Sequence, residues 1–170
     1  GLLNNSTIKQ QIGARLQSLK RGQTGYLVVQ DVDSFKKIND TNGHLFGDAV
    51  LCSFADELSN IFPEALKGRI GGDEFVFYVE DMDREQLEEK LKQLNRCMSD
   101  RYDDDKTGLH ISCSLGAAVT DGTVTDYNLL FQWADAALYQ VKSKGKGAYY
   151  LLDVKEGVAL PGKSYLDSEE

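Results

Sequence analysis

Apolar residues recur along this chain with two different spacings, and each spacing predicts a different kind of element. A spacing of three to four residues, typical of amphipathic helices, covers 3–20, 45–62, 83–98 and 126–144. Short apolar or alternating runs, typical of strands, cover 25–35, 66–70, 75–80, 109–119 and 148–153. The predicted order is therefore helix, strand, helix, hairpin, helix, strand, helix, strand.

The strand patterns also indicate how the sheet is built. Residues 26–29 are nearly continuously apolar, which predicts a central strand, whereas 109–119 alternates strictly and predicts a half-buried one. Strands joined by a hairpin are mixed with strands joined by helices. This combination favours an α/β fold of the layered α+β kind, with a mixed central β-sheet surrounded by helices, over a doubly wound parallel sheet.

The composition limits the chain to one domain and to a narrow range of partners. With 170 residues, 41% of them hydrophobic, the chain can close a single core. Its formal net charge of −8 disfavours nucleic acid and anionic membrane surfaces as general partners. A bound nucleotide would therefore need a local site, and we expect a cation to accompany it.

Cysteine usage and the longest apolar runs bear on the compartment. Cys52, Cys97 and Cys113 fit neither a disulfide framework nor a zinc site, so we predict buried free thiols in the reducing cytoplasm. No stretch reaches the ~20 apolar residues of a membrane-spanning helix. The chain opens abruptly with GLLNN, so we expect a sensor, dimerisation or membrane segment upstream in a longer protein.

Two aspartates end the first predicted strand, in the sequence DVDSFKKIND. Asp33 or Ser34 is most simply explained as the cap of a following helix. Asp31 lies within the strand end, where aspartate is disfavoured and costly to bury unpaired. With nearby carbonyls it offers the oxygen ligands that Mg²⁺ uses beside phosphates. The free N–H groups of residues 34–37, together with Lys36, could receive an anion at the same corner.

A second acidic pair follows two glycines in RIGGDEF, where Asp73 and Glu74 are adjacent. The simplest explanation is the solvated tip of a hairpin, because short motifs produce many false matches. The glycines allow close backbone approach or a positive φ, and a hairpin beside the first strand would bring Asp73 next to Asp31. Two acidic strand ends that meet in this way predict two-metal chemistry on a phosphoryl group.

Several motifs taken together resemble one known family. RIGGDEF is preceded by DVDSFKKINDTNGHLFGDAVL and followed by ADAALYQVKSKGK, which is similar in order and spacing to the GGDEF family of diguanylate cyclases. The resemblance covers residues 1–152, which we interpret as one domain, and leaves 153–170 as a tail or linker. It implies a nucleotidyl-cyclase or palm-like fold that carries the signature on a β-hairpin.

The resemblance also implies roles for the acidic residues. Asp31, Asp73 and the carbonyl of Val32 would bind the divalent cations, Mg²⁺ or Mn²⁺. Glu74 would either join this metal site or help to activate the attacking hydroxyl, and the sequence does not choose between these roles. Asp31, Asp73 and Glu74 are therefore the implied catalytic residues.

Other positions match the family's substrate contacts. Asn39 and Asp48 would recognise the guanine edge, since an amide and a carboxylate complement its donors and acceptors. Further substrate contacts are implied for Phe35, Lys36, Gly72, Lys142 and Lys146. Phe35 and Lys36 match a phosphate-cradling turn, and Lys142 matches a lysine that contacts the triphosphate. Taken singly, Asn39, Asp48 and Lys142 would also suit ordinary turn or helix-end roles.

The chain departs from the family pattern at three places. Where the family commonly has the arginine of a GRN sequence, Lys146 followed by Gly147 keeps the charge but loses the bidentate fork. Asn5 replaces the arginine usual in the GLxNR opening, at a position we interpret as structural. Phe62 and Ala65 occupy the positions of an Arg-x-x-Asp product-inhibition site, so we expect no feedback inhibition by that route.

The resemblance implies an enzyme that condenses two GTP molecules to cyclic di-GMP and releases two pyrophosphates. Each subunit would present one GTP, so we expect a two-fold homodimer. Two other functions stay open at this point. Lys146 and Gly147 leave open a GTP-binding regulatory module without turnover, although the intact GGDEF sequence and Asp31 argue against it. A receptor for cyclic di-GMP would need the Arg-x-x-Asp site.

Overall fold

The structure is a computed structural model that describes residues 2–160. Within that range the elements follow the predicted order, with a short additional helix after the first strand. They are α1 Asn5–Gln17, β1 Gly25–Val32, α2 Phe35–Asn42, α3 His44–Ile61, β2 Leu66–Arg69, β3 Glu74–Glu80, α4 Arg84–Tyr102, β4 Cys113–Thr120, α5 Tyr127–Ser143 and β5 Tyr149–Asp153.

One five-stranded sheet organises the fold, in the order β2-β3-β1-β4-β5. The pairs β2–β3, β3–β1 and β1–β4 are antiparallel, whereas β4 and β5 are parallel. The sheet is therefore mixed, with β1 at its centre and every residue of β1 buried. The predicted α+β layering around a mixed sheet, with the GGDEF sequence on a hairpin between β2 and β3, is confirmed.

Helices cover both faces of this sheet because successive strand residues point to opposite sides. On one face, α3 and α4 pack against alternate residues of β1 and β3. The predicted stripe of α4 is fully buried there, at Leu87, Leu91, Leu94 and Met98. On the opposite face, α1 and α5 bury their apolar sides against the remaining strand positions. The domain thus has two apolar layers separated by the sheet.

Two predictions about burial are wrong. The run 109–119 was expected to form a half-buried strand, but β4 begins only at Cys113 and is buried along its whole length. Its second face is covered by α5, which packs on the small residues Gly116 and Ala118. Cys52 is exposed on α3, Cys97 is partly buried and Cys113 is buried, so only one of the three thiols is fully enclosed.

The C-terminal end of the described range stays attached to the sheet. β5 extends to Asp153, and Val154 is buried and donates its N–H to the Val119 carbonyl at 2.8 Å. The boundary between 152 and 153 stays a prediction, and residues 161–170 of the predicted tail lie outside the described residues. Between residues 2 and 160, no helix combines the length and the hydropathy that crossing a bilayer requires.

The helix α5 approaches the sheet closely at Gly116 on β4. A Cβ atom there would lie 2.2 Å from the backbone nitrogen of Leu138 and 2.3 Å from the Ala134 carbonyl oxygen. These are backbone atoms, so the helix as a whole would have to move. Gly116 therefore fixes the height of α5 above β4, and with it the position of every side chain that α5 presents.

We expect Gly116→Ala to lower the free energy of unfolding by about 2 kcal/mol or more, because it forces two backbone segments apart. The matched control is Gly13→Ala in α1, where a Cβ meets nothing within 4 Å. That change should raise stability by roughly 0.5 to 1 kcal/mol. Urea denaturation of both variants checks this, and equal effects in the two would contradict the tight seating of α5.

Candidate active site

The antiparallel register brings the acidic strand ends together. Asp31 at the end of β1 lies directly opposite Glu74 on β3 and opposite Ser114 on β4. The Asp73 carbonyl accepts a hydrogen bond from the Val32 N–H at 3.4 Å. The two acidic segments are therefore neighbours, as expected from the hairpin. The residue that faces Asp31 across the strands is Glu74, however, and Asp73 lies one position further out.

Asp31 is a buried carboxylate with one bound oxygen and one free oxygen. It is only 5% exposed, because β1 is central and its alternate residues face α5. One carboxylate oxygen forms an ion pair with the ammonium of Lys142, in the last turn of α5. The other, Oδ1, is buried without a hydrogen-bond partner among the described residues. A buried acceptor left in this state is expensive and suits a further positive ligand.

The surroundings shift the ionisation of all three acidic side chains. Burial raises the pKa of the Asp31 carboxyl from 3.8 to about 6, although the hydrogen bond and the charge of Lys142 oppose the shift. Burial also raises the pKa of Asp73 and of Glu74 above their ordinary values. Repulsion between the carboxylates adds to the increase at Asp31 and Glu74. The corner therefore contains more negative charge than Lys142 balances.

These residues fit a hard divalent cation by their chemistry. Carboxylate and carbonyl oxygens are the ligands of Mg²⁺, and Asp31 offers an oxygen that has no other partner. Within residues 2–160, no group of three or more His, Cys, Asp or Glu side chains already surrounds a metal position. Lys142 is paired with Asp31 in the same corner. A cation bound there would add the positive charge that the three carboxylates need.

The turn between β2 and β3 is held by a residue that the sequence argument did not single out. Arg69 donates from Nε to the carbonyls of Gly71 and Gly72, at 3.1 and 2.9 Å. Neither glycine adopts a positive φ, so of the two expected alternatives only close approach applies. Gly71 instead leaves room for Glu74, whose Oε2 would lie 3.0 Å from an added Cβ. Gly72 is open, so it leaves the tip accessible.

The turn that begins α2 has a different construction from the one predicted. Ser34 is left-handed, with φ 54°, and its side chain makes no capping hydrogen bond. Asp33 does not cap α2 either, because its carboxylate accepts hydrogen bonds from Ser112 and Ser114. Both capping interpretations are therefore wrong. Phe35 is half-buried against the core and Lys36 is exposed, which leaves the first turn of α2 open to solvent.

The two predicted guanine contacts lie on either side of the junction between α2 and α3. Asn39 is half-buried, and its Oδ1 has no partner among the described residues. A Cβ on Gly47 would lie only 1.8 Å from that oxygen, so Gly47 is what leaves room for the amide. Asp48 follows Gly47 and is exposed in a groove that is also lined by Leu51 and by Gly71 of the turn between β2 and β3. Sequence reasoning missed the part played by Gly47.

A fourth acidic residue also belongs to this corner. Asp135 on α5 is 7% exposed and raises the pKa of Glu74 through its charge. Its only sequence signal is an acid placed among alanines in the apolar stripe of α5.

The two residues at the positions of the Arg-x-x-Asp product-inhibition site are apolar and belong to the core. Phe62 and Ala65 are buried, and the centroid of the Phe62 ring lies 4.9 Å from that of Phe77.

Comparisons with known proteins agree with this fold and motif arrangement. Residues 1–148 match the family described as "Diguanylate cyclase, GGDEF domain", and the chain therefore belongs to the GGDEF family. It is 32% identical over 144 residues to the "Probable diguanylate cyclase DgcT" of Escherichia coli strain K12, covering 82% of this chain and 32% of that protein. The Shewanella oneidensis "Diguanylate cyclase DgcS" is 34% identical over 155 residues, covering 89% and 50%.

A solved structure extends the likeness to three dimensions. The coiled coil and GGDEF domain of DgcB from Caulobacter crescentus, in complex with c-di-GMP, superposes with a TM-score of 0.80. It is 25% identical, and the match covers 89% of this chain and 82% of that one. The chain spans about a third to a half of the two curated relatives.

The domain should lose stability as the pH rises through the range in which Asp31 ionises. The folded pKa, about 6, lies above the ordinary value of 3.8. Between these values the folded state keeps a proton that the unfolded state releases, so the free energy of unfolding falls with rising pH. Two pKa units correspond to about 3 kcal/mol, which is an upper limit.

Urea denaturation at pH 4.5 and pH 7.5, with a chelator present, measures this fall. In Asp31→Asn the decrease in the free energy of unfolding between these two pH values should be smaller than in the wild type by roughly 2 kcal/mol. Asp105→Asn, in the exposed loop after α4, removes the same charge without burial and should behave like the wild type. Equal falls in all three proteins would show that Asp31 is not the titrating group.

Proposed function

We propose that this chain is a diguanylate cyclase domain that condenses two GTP molecules into cyclic di-GMP, with Mg²⁺ or Mn²⁺ as cofactor. The observation that carries the proposal is the buried acidic corner, in which Asp31 faces Glu74 across two paired strands. Burial raises the pKa of Asp31, Asp73 and Glu74, and Asp31 keeps one oxygen without a partner among the described residues. This arrangement favours a cation and a phosphate, and membership of the GGDEF family supports the same chemistry.

In the proposed site the acidic residues bind the cation and Lys142 binds the substrate. Asp31, Asp73 and the Val32 carbonyl hold the divalent cation, which when bound supplies Lewis-acid stabilisation of charge on the phosphate. Glu74 shares the cation or accepts the proton of the attacking hydroxyl, two roles that its position opposite Asp31 permits. Lys142 stands at the same corner and contacts the triphosphate when GTP enters.

The remaining contacts orient GTP. The open first turn of α2, at Phe35 and Lys36, receives the phosphates through backbone N–H groups. Gly72 at the open hairpin tip allows close approach of the substrate, and Lys146 adds a second cation near the same turn. Asn39 and Asp48 bind the guanine edge, where the carboxylate accepts from N1–H and the exocyclic amine.

The reaction requires two copies of this site. The 3′-oxygen of one GTP forms a bond to the α-phosphorus of the other, and the bond from that phosphorus to the pyrophosphate oxygen breaks. A second, reciprocal step closes the ring, so two pyrophosphates leave. Because each chain presents one nucleotide, we propose a two-fold homodimer in which the two sites face each other. An upstream dimerising or sensory segment would control that encounter.

A cyclase assay tests the proposal directly. The domain is incubated with GTP and Mg²⁺ or Mn²⁺ at high protein concentration, alone and fused to a dimerising coiled coil, and cyclic di-GMP is separated by chromatography. We expect product from both forms and faster turnover by the fusion. GTP binding without cyclic product in either form would favour the regulatory module, which Lys146 and Gly147 had left open.

Asp73→Ala tests the metal assignment. We expect the cyclase rate to fall more than about 100-fold, since metal-site ligands carry much of the charge stabilisation. The melting temperature should hardly change, because a half-exposed turn residue contributes little packing. Asp105→Ala is the control, and loss of folding in Asp73→Ala would instead assign this residue a structural role.

Gly47→Ala tests the guanine site. The added methyl would displace the Asn39 amide, whose Oδ1 lies 1.8 Å from the Cβ position. We expect GTP affinity to fall about tenfold, the loss of roughly one hydrogen bond. Binding of ATP, which lacks the guanine edge, should change far less. Gly13→Ala is the control, and unchanged GTP affinity in Gly47→Ala would exclude Asn39 from the guanine contact.

Titration with cyclic di-GMP addresses the receptor alternative. With the active site filled by a non-reactive GTP analogue, we expect no saturable binding, because Phe62 and Ala65 are buried and uncharged. Saturable micromolar binding under these conditions would contradict the assignment.

A further inference from the structure

Asp33 is a buried carboxylate that the proposed reaction does not use. It is 7% exposed and lies two residues beyond Asp31, just after the end of β1. Its two oxygens accept hydrogen bonds from Ser112 Oγ and Ser114 Oγ, each at 2.6 Å. A third donor is the backbone N–H of Gly147, at 3.0 Å from Oδ2. All of these partners come from segments distant in sequence, so Asp33 joins three parts of the chain.

The loop that Asp33 contacts has an unusual backbone. Gly145, Lys146 and Gly147 have φ values of 118°, 68° and 65°, all in the left-handed region. Such a run follows no regular hydrogen-bonding pattern, so outside contacts must hold it. The Lys146 N–H donates to Val141 at 3.1 Å. The Gly147 N–H divides its hydrogen bond between Asp33 and Ser114 Oγ, the latter at 3.1 Å.

The held loop places one charged side chain at the turn that starts α2. The Lys146 ammonium donates to Ser34 Oγ at 3.2 Å. Ser34 immediately precedes Phe35 and Lys36, which form the proposed phosphate-binding turn. Asp33 precedes Ser34 in the chain and also accepts a hydrogen bond from the Gly147 N–H. It therefore restrains the backbone next to both partners of the contact between Lys146 and Ser34. Fixing the backbone beside a long flexible lysine reduces the entropy that is lost when the ammonium binds a ligand.

We propose that Asp33 is a positioning residue, which holds the Gly145–Gly147 loop so that Lys146 faces the phosphates of the bound nucleotide. The inference rests on the proposed function of the site, because it assigns the ligand as a nucleoside triphosphate. It also explains why glycine is accepted at 147, where the family commonly has asparagine. The contact to Asp33 comes from the backbone N–H, and both residues tolerate a φ of 65°.

The first measurement needs no ligand. Amide hydrogen exchange of the free domain is compared between the wild type and Asp33→Ala. We expect the Gly147 amide to exchange at least about tenfold faster in the variant, while the Val28 amide in β1 is unchanged. Asp33→Asn keeps an oxygen that can accept from Gly147 and should restore most of the protection. An unchanged Gly147 amide in Asp33→Ala would overturn the proposal.

The second measurement separates positioning from a general structural effect. Affinities for guanosine and for a non-hydrolysable GTP analogue with Mg²⁺ are compared in the wild type, Asp33→Ala, Lys146→Ala and the double variant. We expect Asp33→Ala to weaken the analogue roughly tenfold and guanosine less than about twofold. In the Lys146→Ala background the Asp33 change should add almost nothing.

Two results would contradict the proposal in this second experiment. Equal weakening of guanosine and the analogue would mean that Asp33 acts on the whole domain. An undiminished effect in the Lys146→Ala background would mean that it acts through another group. Asp40→Asn, which removes an exposed charge from α2, is the charge control. If Asp33→Ala does not fold, the Ser112→Ala and Ser114→Ala pair replaces it, since it removes two of the donors.

These experiments distinguish failure of the positioning role of Asp33 from failure of the proposed cyclase function. A wild-type domain that binds no GTP analogue would refute the cyclase proposal, while the hydrogen-exchange result would still decide whether Asp33 holds the loop. A domain that makes cyclic di-GMP but shows no coupling between Asp33 and Lys146 would refute only the positioning role.

Discussion

The structure depends on how the carboxylate of Asp31 is accommodated at the end of a central, fully buried strand. β1 lies between β3 and β4, so the side chain of Asp31 cannot reach bulk water along either neighbouring strand. Among the described residues its charged partner is Lys142, which α5 presents on the same face of the sheet. That pairing needs α5 to lie close to β4, and Gly116 is the position that permits the close approach.

The same corner gathers more negative charge than one lysine can balance. Glu74 faces Asp31, Asp73 follows the turn, and Asp135 adds its charge from α5. Burial raises the pKa values of the first three, which means that the folded chain is destabilised by ionising them. Natural proteins commonly sacrifice stability where a binding site requires it. Under the proposed function the requirement is a divalent cation, whose positive charge is complementary both to this acidic corner and to the phosphates of a nucleotide.

The sequence predicted the elements well because their apolar patterns are strong. The stripe of α4 and the continuous apolar run of β1 both follow directly from periodicity. The burial of β4 was missed, since Gly116 and Ala118 look unsuited to a core until α5 is known to press against them. The caps at Asp33 and Ser34 were wrong for a related reason. A local pattern cannot reveal that Ser112 and Ser114, far along the chain, offer Asp33 better partners.

The candidate site was predictable as a set of residues but not as a geometry. Motif spacing selected Asp31, Asp73 and Glu74, whereas only the strand register showed that Glu74 is the residue opposite Asp31. The sequence did not indicate the roles of Arg69, Gly47 and Asp135, because each affects the site only through another residue. Arg69 holds the glycine carbonyls, Gly47 leaves room for Asn39, and Asp135 raises the pKa of Glu74.

Under the proposed reaction, the division of the site between chains follows from this geometry. One acidic corner lies at one end of one sheet, and the guanine contacts lie on one side of it, at the junction of α2 and α3. Each chain can therefore orient a single nucleotide and its α-phosphate. The attacking 3′-oxygen has to come from a second nucleotide held in another copy. The rate would then depend on how often two such corners meet, which makes dimerisation the natural point of control.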